Sequence, residues 1–348
     1  MAPPVAHADD EPYLAIRTGF RCSKCHTNVT GGGKRTTFGA MFAQARLPMT
    51  VARIGDGPYL YPQVGDFLAL GANFRLQSSR EFQGENPRNP IDITQATFFA
   101  EFRIVPDRLA IYIDENVAPG TPRNREAFLL LDGLPGRSYV KAGRFFLPYG
   151  FRLLDDGEFI RLRTGFNYSV SDHGVELGLE PGPLSLSVAV TNGTQGAAEE
   201  NSSKQVTGLA ALVFNQFRVG ASASHNQGAD ARRDVYGAFG GFRLGRFAFL
   251  GEVDFINDDP PDGRRGDEIA AFLEANLLVA RGWNLKMTYG FLDPDRDIGE
   301  NARVRVRFGV EPFITQFLQA SVFYTLNQDI PQSTADRDQL VFELHGFF

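Results

Sequence analysis

RVRVRFGV, residues 303–310, alternates without a break. Val304, Val306, Phe308 and Val310 share one face of an extended chain, and Arg303, Arg305 and Arg307 share the other. Side chains of a strand point to opposite faces with a period of two, so this octapeptide is one apolar sheet surface backed by one cationic surface. The pattern recurs along the chain. FLALGANFRL (67–76) sets Leu68, Leu70, Ala72, Phe74 and Leu76 against Asn73 and Arg75. ATFFAEFRI (96–104) sets Phe98, Ala100, Phe102 and Ile104 against Glu101 and Arg103. NLKMTYGF (284–291) does the same with Leu285, Met287, Tyr289 and Phe291 on one side. The last nine residues, LVFELHGFF, form a final alternating strand that ends on an aromatic.

The connections between these segments are of two kinds. Short turns fall at 105–108, 132–137, 181–183, 215–216, 244–246, 281–282 and near EPFI (311–314). Longer polar links fall at 78–90, 115–125, 147–172, 192–203, 225–233, 257–267, 293–301 and 327–338. Eight long links and seven short turns join sixteen strands. Short turns on one rim, long loops on the other and an even strand number are the signature of bacterial outer-membrane barrels. The expected fold is an all-β, 16-stranded antiparallel transmembrane β-barrel, with both chain ends on the periplasmic side. A soluble β-sandwich would hide one face in a core and would not need its long loops at one end. No apolar run approaches the roughly 20 residues of a membrane helix. The net charge of −6 argues against nucleic acid as a partner.

The chain's front reads differently. RCSKCH (21–26) holds the only two cysteines, Cys22 and Cys25, followed directly by His26. Cys-x-x-Cys-His is the attachment signature of c-type haem: two thiols for the vinyl groups and an imidazole for the iron. A redox dithiol expects a thioredoxin-like context, and a structural zinc site needs four ligands; neither uses the adjacent histidine. One covalent haem c is therefore expected. Ala6-His7-Ala8 resembles a signal cleavage site, so 1–8 reads as a signal-peptide remnant of an exported protein. Residues 9–50 then form a monohaem segment, 51–66 a Gly/Pro-marked linker and 67–348 the barrel. A segment of this size is too small to bury a good core alone, and it starts beside the periplasmic mouth, so it is expected to plug the lumen.

YLAIRTGFRCSKCHTNVTGGGKRTTFGAMFAQ followed by a barrel resembles the fused monohaem cytochrome–porins of the outer membrane, known best from iron-oxidising bacteria. Arg17-Thr18-Gly19 and Phe38-Gly39 stand where that family has its Arg/Gln-Thr-Gly stretch and its phenylalanine-glycine element. Gly31-Gly32-Gly33-Lys34-Arg35 departs from the pattern, which leaves a different donor or acceptor open. KAGRFFLPYG (141–150) is similar to a strand end of phosphate-selective porins. The resemblance implies an electron conduit between an extracellular donor or acceptor, such as Fe(II), and a periplasmic c-type cytochrome or other redox partner. If enzymatic, it would be an extracellular iron:cytochrome c oxidoreductase. The competing function is a solute porin of anion or phosphate type whose haem segment is a plug or sensor.

The distal iron ligand is open among Met41, Met49 and His345, with Met41 leading for its thioether. Arg303, Arg305 and Arg307 form an inward ladder suited to haem propionates or to the acidic run Asp9-Asp10-Glu11, since the guanidinium fork matches carboxylates. Against that stands a salt-bridged porin wall with Lys286, Glu252, Asp254 and Glu274. His173 and His225, near the outer strand ends, and the loop acids Asp155-Asp156 with Glu158, Asp258-Asp259, Asp293, Asp295 and Asp297 are candidates for transient Fe(II) contact. Solvated loop charge is the alternative for each.

Overall fold

The structure, a computed structural model, describes residues 11–55, 57–82, 89–155, 157–199, 201–228, 231–260, 266–329 and 338–348. The readings of 1–8 as a signal remnant, of His7, Asp9 and Asp10, and of Asp156 lie outside these residues. Three short helices come first: α1 (Pro12–Thr18), α2 (Cys22–Cys25) and α3 (Thr37–Arg46). A two-residue strand, β1 (Gln63–Val64), folds back on the first barrel strand. The barrel strands are β2 (Leu68–Glu81), β3 (Ile91–Val105), β4 (Leu109–Ala118), β5 (Arg123–Leu134) and β6 (Ser138–Phe145). After α4 (Phe159–Leu162) come β7 (Asp172–Leu179), β8 (Leu184–Thr191), β9 (Gln205–Val213), β10 (Phe217–Gln227), β11 (Arg232–Leu244) and β12 (Phe247–Asp259). The last five are β13 (Gly266–Ala280), β14 (Trp283–Asp293), β15 (Arg303–Thr315), β16 (Leu318–Asp329) and β17 (Gln339–Phe347).

Each of these sixteen strands pairs antiparallel with the next, and β17 returns to β2 through Leu344↔Leu76 and His345↔Arg75. Closure leaves no unpaired sheet edge. The turn expected near 311–314 lies about four residues later, at 316–317, because β15 runs on to Thr315. The polar links at 115–125 and 225–233 shrink to 119–122 and 228–231, since strand ends that look like loop by polarity still complete the ladder.

The polarity of the barrel is inverted relative to a soluble protein. Leu273 (60% exposed), Phe98 (57%), Met287 (53%) and Phe308 (46%) stand on the outside, while Asn276, Asn284, Glu274, Glu252, Lys286 and Thr288 are buried inside. An apolar surface of this extent rules out the soluble sandwich and makes the exterior a lipid-facing belt. Aromatic pairs such as Phe214–Phe217 and Phe247–Phe249, with Trp283 nearby in the fold, mark the short-turn rim. No helix of the described residues is long and apolar enough to cross a membrane.

The N-terminal segment lies inside the lumen. Tyr13 and Ile16 of α1 pack with the inward Phe239, Ala248, Leu250 and Phe272. Val29 joins Phe99, Tyr112, Phe128 and Tyr139 on another arc of the wall, and Ala43 of α3 joins Phe313 and Phe347 on a third. The connection from β6 to β7 also turns inward. Phe151, Leu153 and Ile160 lie in the same cluster as Tyr13, so plug and connection meet inside the barrel.

Met287 sits at the centre of β14 on the lipid side. Met287→Arg is expected to destabilise insertion into lipid vesicles by about 2–4 kcal/mol, the cost of a cation near the bilayer midplane. Equilibrium unfolding from vesicles checks this.

Candidate functional site

Cys22 to Cys25 make a single helical turn, closed by the His26 N–H donating to the Cys22 carbonyl (2.9 Å). His26 then leaves the turn in an extended conformation and bridges Arg35, while Thr27 N–H donates to Lys34 O at 3.0 Å. Thr36 ties the next helix to this turn: its N–H donates to Cys25 O (2.9 Å), its hydroxyl donates to Lys24 O (2.9 Å) and accepts from Gly39 N–H (3.1 Å). Gly39 has a packing reason. A Cβ there would lie 2.1 Å from the Cys25 carbonyl oxygen, so only glycine lets α3 press against the cysteine turn. Phe38, its neighbour, stacks with Phe42 and meets Phe20 edge-on beneath the turn.

The segment is fastened to the wall by buried charge. Lys34 Nζ reaches Glu101 at 2.8 Å, and Lys286 Nζ holds Glu11 at 2.6 Å and Glu311 at 3.0 Å. Asn28 donates to Glu126 (2.9 Å) and accepts from Lys141 Nζ (2.9 Å), which also pairs with Glu176 at 3.1 Å. Wall arginines take backbone carbonyls of the segment: Arg218 that of Phe20 (2.7 Å), Arg243 that of Arg17 (2.9 Å), Arg281 those of Pro48 and Ala45. The glycine run belongs to this docking. Gly33 has φ 66°, and a Cβ on it would lie 1.9 Å from the Tyr112 hydroxyl, which accepts from Lys34 N–H at 3.0 Å.

Cys22, Cys25 and His26 line one side of an internal cavity with about 1560 Å³ of space free of protein atoms, its open mouth included. The opposite walls come from Gly150, Phe151, Arg152 and Leu154 of the inward connection and from wall residues such as Arg75, Phe239, Phe313, Gln319 and His345. Val213 ends β9, Arg218 opens β10, and Gln319 and His345 lie at the short-turn ends of β16 and β17, so the cavity sits toward the short-turn rim. Five arginines (21, 35, 75, 152 and 218) and two glutamates (11 and 180) line it. A tethered porphyrin needs two thiols and an imidazole on one side, an apolar slot and cations for its carboxylates; the residues present fit each requirement.

The other expected residues lie elsewhere. Arg305 pairs with Asp155 (2.8 Å) and Glu158 (2.6 Å), and Arg307 pairs with Asp155 (2.8 Å). They hold the inward connection against the far wall, and neither they nor Arg303 line the cavity. Of the acidic run proposed for that ladder, Glu11 is held by Lys286 instead. Met41 is not among the cavity residues either: α3 presents Gly39, Phe42 and Ala43 to it, and Met41 lies off that face. Met49 packs at the rim, its N–H on Phe313 O (2.8 Å) and its side chain against Gly282. His345 does line the cavity. His173 and His225 are exposed on the outside of the barrel, His225 beside Asp234 at 2.5 Å. Asp258 is taken by Arg233, and the Asp293 and Asp295 carboxylates accept from the N–H groups of Asp295 and Asp297. No group of three or more His, Cys, Asp or Glu is poised for a metal among the described residues.

Sequence reasoning missed Arg35, Arg75, Arg152 and Arg218 as cavity cations. It also missed the inward fold of 146–171, whose signal was legible: FFLPYGFRLL (145–154) is far too apolar for an exposed link.

No family model and no curated protein matches the chain. Solved structures do. Outer-membrane-expressed OmpT of Vibrio cholerae aligns over 83% of this chain and all of its own length, with TM-score 0.63 and 12% identity. An OmpF of Salmonella typhi gives TM-score 0.65 at 12% identity over 83% of this chain and 100% of its own. An anion-selective porin from Comamonas acidovorans gives 0.63 at 10% identity over 81% and 99%. The barrel is thus of the outer-membrane porin type, and identities this low show the fold alone.

Asp155 offers a test of the inward connection. Burial alone would raise its pKa, but Arg305, Arg307 and the Gly157 N–H outweigh it and hold the carboxyl at about 2. A depressed carboxyl stabilises above its unfolded value and loses that contribution as pH falls from about 4 through about 2. Pepsin is expected to spare the Phe159–Leu162 helix at about pH 4 and to cut it at about pH 2. Asp155→Asn should be cut at both.

Proposed function

We propose that this chain carries single electrons across the bacterial outer membrane through one c-type haem attached within the barrel lumen. One observation carries the reading. The Cys22–His26 turn opens into a cavity inside the barrel, lined by the plug, the inward connection and the wall. A plug that served only to block a pore would need no such space behind a Cys-x-x-Cys-His turn.

The residues have separable tasks. Cys22 and Cys25 would bind the vinyl groups, and His26 would hold the iron. The haem, when bound, supplies a one-electron redox couple. Arg35, Arg75, Arg152 and Arg218 offer donors to its carboxylates. Phe42, Phe151, Phe239 and Phe313 give the slot an apolar lining, which would favour the less charged redox state. Asp155 and Glu158, clamped by Arg305 and Arg307, keep the inward connection across the lumen on the outer side. The cavity's place near the short-turn rim suits a periplasmic c-type cytochrome or other redox partner. The hydrocarbon core is about 30 Å thick, so the outer partner must enter the long-loop mouth. A small ion such as Fe(II) meets that requirement and would make the chain an iron:cytochrome c oxidoreductase.

The comparisons favour the second reading, a solute channel. The similar structures are outer-membrane proteins, one described as an anion-selective porin and another, DcaP of Acinetobacter baumannii, as a channel. In that reading the haem segment is a plug or sensor.

The two separate in proteoliposomes. The conduit reading expects an external reductant to reduce an enclosed acceptor with little ion current, and Cys22→Ala to abolish that reduction. Electron transfer that survives Cys22→Ala contradicts it. Ion conduction that is unchanged with or without haem supports the channel.

A further inference from the structure

We infer that the described residues would offer the iron no strong ligand on its cavity side, so that the haem site would also bind a small exogenous ligand such as cyanide, azide or nitric oxide. The inference rests on the haem reading and concerns only the face opposite His26.

The argument is an inventory of donors. The chain has four methionines and five histidines. Met287 faces lipid, Met49 packs against Gly282 at the rim, and Met41 lies off the cavity face of α3. His173 and His225 stand on the outer surface. Met1 and His7 lie outside the described residues. Among those described, His345 is therefore the one nitrogen or sulfur ligand besides His26 and the two cysteines that lines the cavity.

His345 is already committed. Arg75 Nη2 lies 2.9 Å from its Nδ1. A guanidinium can only donate, so Nδ1 accepts from Arg75; Gln319 Oε1 also lies 3.3 Å from Nδ1, and Nε2 faces Asn73 Oδ1 at 3.3 Å. An imidazole binds iron through a lone pair. Both ring nitrogens are engaged, Nδ1 by Arg75 and Gln319 and Nε2 by Asn73. Freeing either nitrogen means breaking the Arg75 contact or turning an N–H toward a guanidinium. Arg75 is itself fixed by Glu343 on the neighbouring strand. The ring also packs on Phe347 with centroids 5.0 Å apart.

Weaker oxygen donors are occupied as well. The Tyr139 hydroxyl donates to Glu176 at 2.6 Å, Glu180 accepts from Ser23 at 2.9 Å and pairs with Arg21, and Glu11 holds Lys286. What faces the open space instead is a set of arginine side chains with apolar neighbours. That lining favours a small anion or neutral diatomic over a bulky or cationic ligand.

The test is optical and magnetic spectroscopy of the full-length haem-loaded protein in detergent, with cyanide as the probe. A haem stain on a denaturing gel comes first: absence of covalent haem overturns the haem reading itself. With haem present, the inference expects a high-spin ferric spectrum that cyanide converts completely and saturably to low spin. Met41→Leu and Met49→Leu should leave both spectra unchanged. A low-spin ferric spectrum without additive, or failure of cyanide to bind, overturns the inference while leaving the conduit reading intact. If either methionine variant turns a low-spin spectrum high-spin, that residue is the ligand and the inference falls.

Discussion

Charge inside a closed barrel has to be neutralised in place. The lumen of this barrel is lined by ionisable side chains that lipid outside and a packed segment inside shut off from bulk water. An unpaired ion in such a site costs several kcal/mol, and removing one partner of a buried pair is strongly destabilising. The N-terminal segment meets this constraint residue by residue. Lys34 is 1% exposed and lies against Glu101 on β3; Lys286 on β14 is divided between Glu11 and Glu311; Asn28 sits between Glu126 and Lys141. The segment's position in the lumen follows from these pairings more than from its own core, which is split into three small clusters against three arcs of wall.

The inward connection between β6 and β7 solves the same problem on the opposite side. Its Asp155 and Glu158 meet Arg305 and Arg307, and its Arg161 meets Glu252 and Asp254. Plug and connection meet in the cluster around Tyr13 and Phe151 and leave a space beside that contact. The Cys22–His26 turn opens into that space. Gly39 keeps α3 tight against the turn, so the cysteines are presented by a two-helix unit rather than by a loose loop.

Much of this was legible in residues. The unbroken alternation of 303–310 identified a lipid face and a lumen face, and the rhythm of turns counted sixteen strands, with the last turn displaced because β15 keeps pairing through Glu311 and Phe313. The Cys-x-x-Cys-His spacing identified the turn that lines the cavity. What periodicity does not carry is depth and partner. It tells that Arg75, Arg305 and Arg307 point inward, but not that Arg75 borders the cavity while the other two hold Asp155 and Glu158 on the far side. Partners across a barrel are set by the three-dimensional path of the plug, which no local pattern encodes. The link at 147–172 reads as external from its position between strands, although Phe146, Leu147, Tyr149 and Phe151 argue for burial. Thioether chemistry and distance in sequence favour Met41; the helical phase of α3 takes it off the cavity face.

The central claim is that paired charge holds the segment in the lumen. It is tested most directly by a charge-exchange cycle at Lys34 and Glu101, read as release of the N-terminal segment by protease from the intact barrel in vesicles. The account predicts that Lys34→Glu and Glu101→Lys each loosen the segment, and that the double exchange restores much of its protection. Losses that simply add in the double variant, or single variants as protected as the parent, would contradict it.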